Sequence, residues 1–216
     1  MGWIDPEDPD TWFLPPLGQD RGGLAQRFQL DHPIFAGFPG MMGNERSVHL
    51  DNQYVYDAYR FLDLSGSEWK VYRKNIRKYP NRVGGELNYR RVYPGQREEE
   101  VASLLERWAE GRTIQDPETF VRFVLFGTWR WGLFRDGVLV GLNVGDVNSA
   151  HGVFRYCIDD GTPYLNEYLR HRFFTSTWAR EVRWINDGGD LGNPGLAKFK
   201  WKLNPFSVTA VFSHKP

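Results

Sequence analysis

Cysteine is almost missing from this chain of 216 residues. Cys157 stands alone, which excludes an internal disulfide and a cysteine-built zinc centre and suits a reducing compartment. In a strand of apolar neighbours it reads as a packed thiol rather than a nucleophile. Long apolar runs are missing too: none approaches the roughly 18 residues that a membrane span needs. The opening Met1-Gly-Trp-Ile-Asp-Pro6 is acidic rather than signal-like, so the expectation is a soluble, cytoplasmic protein. Net charge is absent, with 27 Lys+Arg against 27 Asp+Glu, so any attraction to nucleic acid has to be local. His32, His49, His151, His171 and His214 are scattered and suggest no metal site. Neither a Gly-x-Ser-x-Gly elbow, a phosphate-binding Walker loop, a dinucleotide fingerprint nor an internal repeat occurs.

What is present begins with a core: 41% hydrophobic and 16% aromatic residues suffice for a sizeable one. Residues 1–46 carry Pro6, Pro9, Pro15, Pro16, Pro33 and Pro39 and no sustained period, while Trp3, Trp12, Phe13, Phe28, Phe35 and Phe38 are too many aromatics for a floating tail. An irregular packed arm is expected there, followed by one domain over 47–216 with a basic lead-in to residue 86 and a core from 87.

The lead-in holds an extended stretch over 47–57, a short helix over 57–64 and a longer helix with Ser67 as N-cap and Pro80 as terminator. Trp69, Tyr72, Ile76 and Tyr79 fall within about 80° of a helical projection and form its core face. Lys70, Arg73, Lys74, Arg77 and Lys78 spread over about 140° on the opposite side. Between Gly66 and Arg91 the only acids are Glu68 and Glu86, so the helix face is a basic stripe suited to a phosphate backbone. A solvated surface is the alternative, although crowded like charges without acid partners work against it.

From residue 87 the pattern predicts a strand at 87–92, a helix at 97–110 ended by Gly111, and a helix opened by Asp116-Pro117. Two alternating strands, 129–134 and 138–144, are joined by Asp136-Gly137, a pair made for a type I′ hairpin. A strand at 153–158, a helix opened by Thr162-Pro163 and reaching about Trp178, a strand at 182–185, one or two helical turns at 195–202 and a strand at 207–212 complete the chain. The order is β-α-α-β-β-β-α-β-α-β.

That order resembles the acyl-CoA N-acyltransferase (GNAT) fold, an α/β architecture with a central mixed, mostly antiparallel sheet flanked by helices. Two motifs narrow the resemblance. Tyr54-Val-Tyr-Asp57, Leu62-Asp-Leu-Ser-Gly66 and Arg73-Lys-Asn-Ile-Arg77 look like the opening of the family of the phosphatidylglycerol lysyltransferase C-terminal catalytic domain. Asn186, Asp190-Leu-Gly192, Gly195-Leu196, Lys200 and Asn204-Pro205 look like its closing motif. The family pattern has arginine after Gly-Leu; here Ala197 stands there, with Lys198 next.

The resemblance implies a FemX-related transferase that moves an aminoacyl group from aminoacyl-tRNA to an amine or hydroxyl acceptor, with no bound cofactor. Without a membrane span, a small-molecule or peptide acceptor fits better than a lipid. An N-acyltransferase using acetyl- or acyl-CoA is the alternative reading, and a catalytically silent nucleic-acid or protein binding module is a third.

The residues themselves bear on the donor. CoA enzymes of this fold hold pyrophosphate on backbone N–H groups of a glycine-rich turn before a helix. The corresponding turn here, Ile158-Asp-Asp-Gly-Thr-Pro-Tyr164, has one glycine, a proline without an N–H, and two carboxylates. Asp159 and Asp160, with Tyr164, are candidates to hold the α-ammonium of an aminoacyl donor, or simply to cap the helix. Acyl transfer from an ester needs the acceptor aligned, its proton removed and the oxyanion stabilised. Asp187 and Asp190 are candidates for base or amine orientation. Asn186, Lys200 and the N–H groups of Gly188 and Gly189 are candidates for the oxyanion or a terminal phosphate. Lys198, Lys200 and Lys202 alternate with Phe199, Trp201 and Leu203, which fits a basic strand edge or a turn of helix. A structural loop or a calcium site is the competing reading of Asp187-Gly-Gly-Asp190, though its spacing is not that of an EF-hand.

Overall fold

The structure is a computed structural model that describes residues 3–4, 12–13, 34–35, 47–112, 114, 117–126, 129–148, 151–176 and 182–214. Most of the expected N-terminal arm, and the Asp116 cap, lie outside the described residues. Contacts divide the chain into two compact units. One is Met1–Tyr54, Gly189–Trp201 and Ser207–Pro216; the other is Val55–Gly188 with Lys202–Phe206.

Three two-residue strands, β1 (Trp3–Ile4), β2 (Trp12–Phe13) and β3 (Ile34–Phe35), form a small sheet in the first unit. They are followed by β4 (Ser47–Asp57), α1 (Ala58–Asp63), α2 (Lys70–Val83), β5 (Leu87–Arg91), α3 (Glu98–Ala109) and α4 (Pro117–Phe126). Then come β6 (Trp129–Arg135), β7 (Val138–Asn148), β8 (His151–Asp159), α5 (Leu165–Phe174), β9 (Trp184–Asn186), α6 (Pro194–Trp201) and β10 (Ser207–His214). From β5 onward this is the β-α-α-β-β-β-α-β-α-β order, and the fold is GNAT-like. The main sheet runs β10-β4-β9-β8-β7-β6-β5. It is mixed: β5 to β8 form an antiparallel meander and β8 pairs with β9 in parallel.

In the larger unit each sheet face gathers its own core. Val101, Leu104 and Leu105 of α3 and Phe120 and Val124 of α4 bury Phe134, Leu139, Leu142, Val144 and Ile158. On the other face Tyr79 of α2 and Leu165 and Leu169 of α5 cover Leu133 and Val140. Tyr56, Phe61, Trp69, Phe154, Phe173 and Phe174 interlock edge to face beside them, geometry that aromatic quadrupoles favour. Arg130 is fully buried yet satisfied in part by carbonyls: it donates to Val124 and Leu125 at the C-terminal end of α4 and to Tyr93. Burial lowers its pKa.

The hairpin is as the sequence predicts. Asp136 (φ 49°) and Gly137 (φ 83°) both take the left-handed conformation of a type I′ turn. Asp136 Oδ1 also accepts from the Glu86 N–H, pinning β5 to the turn.

Four expected boundaries are corrected. Ser67 does not cap α2 with its side chain; Trp69 holds the N-cap position, and only the Ser67 carbonyl is used, by Lys70 N–H. Pro80 lies inside α2, which continues to Val83 and closes with Gly84 N–H on the Pro80 carbonyl. Packing of Tyr79 and Val83 on the sheet outweighs the lost hydrogen bond. The Thr162-Pro163 pair does not open α5; Tyr164 takes the N-cap position in the left-handed region, and the helix ends at Phe174 rather than near Trp178.

Close approach of α5 to β7 depends on glycine. A Cβ on Gly145 would lie 2.6 Å from the Val153 carbonyl and 2.7 Å from the Phe173 ring, whereas one on Gly141 would meet only the Leu169 side chain. Gly145→Ala is therefore expected to destabilise by about 1–3 kcal/mol and Gly141→Ala by less, because backbone yields less readily than a leucine tip. Urea unfolding of the two variants checks the order.

Candidate functional site

The basic stripe exists. Tyr72, Ile76 and Tyr79 turn α2's core face inward, leaving Lys70, Arg73, Lys74, Arg77, Lys78 and Asn81 to line an open groove of about 420 Å³. Lys70, Lys74 and Arg77 are exposed and, among the described residues, meet no acid. Glu68, the nearest acid in sequence, pairs instead with Arg60 at 3.4 Å. Arg73 is anchored on the carbonyls of Leu64 and Gly66, and Asn75 Nδ2 donates to Glu167 at 3.3 Å. Lys78 Nζ donates to the Tyr164 hydroxyl at 3.0 Å and lies 4.4 Å from its ring centre.

The turn after β8 is built from its own side chains. Asp159 Oδ1 accepts from Gly161 N–H and Asp160 Oδ1 from Thr162 N–H, both at 2.9 Å. Asp160 N–H is taken by the Val140 carbonyl and Leu165 N–H by the Thr162 carbonyl. Pro163 has none to give. The amides of Asp160, Gly161, Thr162 and Leu165 are thus bonded already, and the second oxygens of the two carboxylates face Asn166 and Arg135.

Asp187 lies where β8 and β9 stop pairing. Their register runs His151↔Trp184 to Val153↔Asn186, after which β8 continues to Asp159 while β9 ends. Asp187 is buried and hydrogen-bonded to Arg170 Nη1 of α5, itself only 8% exposed at the side chain. Arg170 Nε donates to Asn166 Oδ1 at 3.1 Å, and Asn166 Nδ2 to Asp159 Oδ2 at 3.2 Å. A hydrogen-bonded chain therefore runs from the acidic turn to Asp187. The guanidinium also lies 4.6 Å from the Phe154 ring centre. Burial works against the Arg170 charge, but Asp187 outweighs it and the pKa is raised. Around this pair burial pushes up the Tyr72 and Cys157 groups, and burial with Arg172 brings His171 down to about 4. Cys157 is half-buried and packs against the core that Tyr79, Leu165 and Leu169 form.

Arg170 was not among the expected site residues. Its signal was in the sequence: on a helical projection it falls inside the arc of Leu165, Leu169, Phe173 and Phe174. A single cation within an apolar arc calls for a buried acid.

In the smaller unit, Asp190 is equally buried. One carboxylate oxygen accepts from Tyr54 OH at 2.7 Å and Asn52 Nδ2 at 3.0 Å, the other from Gly192 N–H at 3.1 Å. Lys200 is 3% exposed; its Nζ donates to the Gly189 carbonyl at 2.7 Å and lies 5.5 Å from the Tyr54 ring centre. Trp201 meets the same ring edge-on.

The four residues expected at the chemistry are therefore distributed: Asn186 and Asp187 belong to one unit, Asp190 and Lys200 to the other. One further correction follows. Gly188 N–H is not available to an oxyanion, because Asn186 Oδ1 accepts it at 2.8 Å. Of the two readings of the alternating lysines the helical one holds: 194–201 is helical, Lys200 turns inward, and Lys198 stays exposed. Among the described residues no group of three His, Cys, Asp or Glu side chains converges to hold a metal, and no helix is long and apolar enough to cross a membrane.

No family model and no curated relative matches this chain by sequence. Its similarity is structural. A conserved protein of unknown function from Bacteroides thetaiotaomicron superposes with a TM-score of 0.66 at 16% identity, over 94% of this chain and 78% of that one. The C-terminal domain (DUF2156) of a putative lysylphosphatidylglycerol synthetase from Agrobacterium fabrum gives 0.64 at 14% identity, over 100% and 80%. L-PGS from Bacillus licheniformis gives 0.60 at 15% identity, over 89% and 70%. The chain shares the fold of these domains.

Proposed function

We propose that this chain is an aminoacyltransferase that takes its acyl group from aminoacyl-tRNA and delivers it to an amine or hydroxyl of a small-molecule or peptide acceptor. The observation that carries this reading is the α2 groove, lined by cations of which Lys70, Lys74 and Arg77 have no acid partner among the described residues. A phosphate backbone supplies the missing charge and repays the close packing of like charges. The internally bonded turn after β8 argues against acyl-CoA, since the Asp160, Gly161 and Thr162 amides are occupied, Pro163 has none, and the carboxylates repel pyrophosphate. The fold shared with a lysylphosphatidylglycerol synthetase domain agrees with aminoacyl transfer.

Within this reading Asp187 is the acid assigned to orient or deprotonate the acceptor, a role supported by the Arg170 contact that fixes its carboxylate. Asp190 and Lys200 organise the loop before α6. Exposed Lys198 is available to a substrate phosphate. The activated ester needs alignment and charge stabilisation more than covalent help. The test is a side-by-side assay with labelled aminoacyl-tRNA and labelled acetyl-CoA. Protection and turnover with the tRNA are expected, and binding of CoA alone would overturn the reading.

A further inference from the structure

Tyr164 is the one bulky aromatic residue that the described chain holds in the left-handed region, at φ 71° and ψ 0°. Glycine or asparagine would occupy that helix-entry position with less strain. The conformation is kept in spite of the aromatic side chain, and strain of this kind gathers at functional sites. It sets the phenol against Lys78: the ammonium donates to the hydroxyl at 3.0 Å and sits 4.4 Å from the ring centre. Lys78 is a wall of the α2 groove, and the turn carrying Asp159 and Asp160 leads directly into Tyr164. The chain thus presents cations, then a phenol, then two carboxylates. The end of an aminoacyl-tRNA presents phosphate, then the ester oxygen, then the α-ammonium.

We propose that Tyr164 is a catalytic residue that passes a proton to the leaving ribose oxygen, with Lys78 holding its hydroxyl. This rests on the aminoacyl-transfer reading above. In the step, the acceptor nitrogen bonds to the carbonyl carbon and the carbon–oxygen bond to the ribose breaks. The Tyr164 proton goes to the ribose oxygen, and the phenolate takes the proton that the new amide nitrogen sheds. Amine and ester become amide and alcohol, and the phenol is restored. Lys78 donates to the phenol oxygen throughout and favours the phenolate as it forms. The charged groups that act on the hydroxyl are Lys78 and Arg82, which favour ionisation, and Glu167, which opposes it; the hydrogen bond from Lys78 dominates and lowers the pKa.

The experiment uses the full chain, a pool of labelled aminoacyl-tRNAs and glycinamide as a simple amine acceptor, in single turnover across pH. Tyr164→Phe is expected to lower the transfer rate by about 100-fold or more with tRNA binding unchanged. Lys78→Met should move the phenol-dependent limb of the pH profile upward. Tyr164→Asn, which suits the left-handed backbone, should lose transfer to the same degree while its unfolding midpoint stays at or above that of the parent, a combination that a purely structural tyrosine does not produce. Full transfer by Tyr164→Phe overturns this proposal and leaves the aminoacyl reading standing. No transfer by the parent protein overturns both.

Discussion

Arg170→Ala is expected to destabilise the protein by about 3–5 kcal/mol, because it strands the buried Asp187 carboxylate without its cation. The cost comes from the acid left behind more than from the pair itself. Replacing both partners with apolar residues of similar size, Arg170→Met with Asp187→Leu, should therefore recover most of the loss. Urea unfolding of the single and double variants decides: a double variant as unstable as the single one would show that shape, rather than charge, sets the cost. Under the proposed function the same pair also bears on transfer. Asp187→Asn keeps a side chain able to accept from Arg170 but leaves the buried guanidinium without its anion, so a stability loss of about 3–5 kcal/mol is expected here too, and transfer per folded molecule should fall by about 100-fold or more. If Asp187→Asn, Asp190→Asn and Lys200→Ala all leave transfer intact, the segment 186–200 is scaffold.

The second large effect is on RNA. Reversing Lys70, Lys74 and Arg77 together to glutamate should weaken tRNA binding by about 100-fold or more at moderate salt and flatten the salt dependence by roughly two to three units of slope. These side chains are exposed and make no ion pair with a described acid, so the fold should be unaffected. Filter binding over a salt series, with thermal unfolding as control, measures both. An unchanged slope would mean that the groove does not meet a phosphate backbone.

Much of this was legible in residue spacing. The core face of α2 at Trp69, Tyr72, Ile76 and Tyr79 is buried as its helical period requires. The Asp136-Gly137 turn adopts the backbone its residues favour. The basic face could be read because a helix with one buried side must expose the other. Where the reading failed, a distant partner intervened. Pro80 marks a helix end by local rules, yet the sheet beneath Tyr79 and Val83 carries the helix through. Lys198 and Lys200 were equally spaced for a strand or a helix, and only the helical path of α6 turned Lys200 inward to the Gly189 carbonyl.

The sequence by itself determined the element order from residue 87 and the basic stripe, since each follows from the period of apolar and charged residues along a single element; helices on both sheet faces were only what the resemblance implied. It also determined that the turn after β8 carries one glycine, a proline without an N–H and two aspartates, because composition is a local property. Tertiary structure alone decided which acid meets which cation. Arg170 and Asp187 are 17 positions apart, and Tyr54 and Asp190 are 136 apart. A carboxylate cannot announce its partner when the fold, rather than the spacing, brings them within bonding distance.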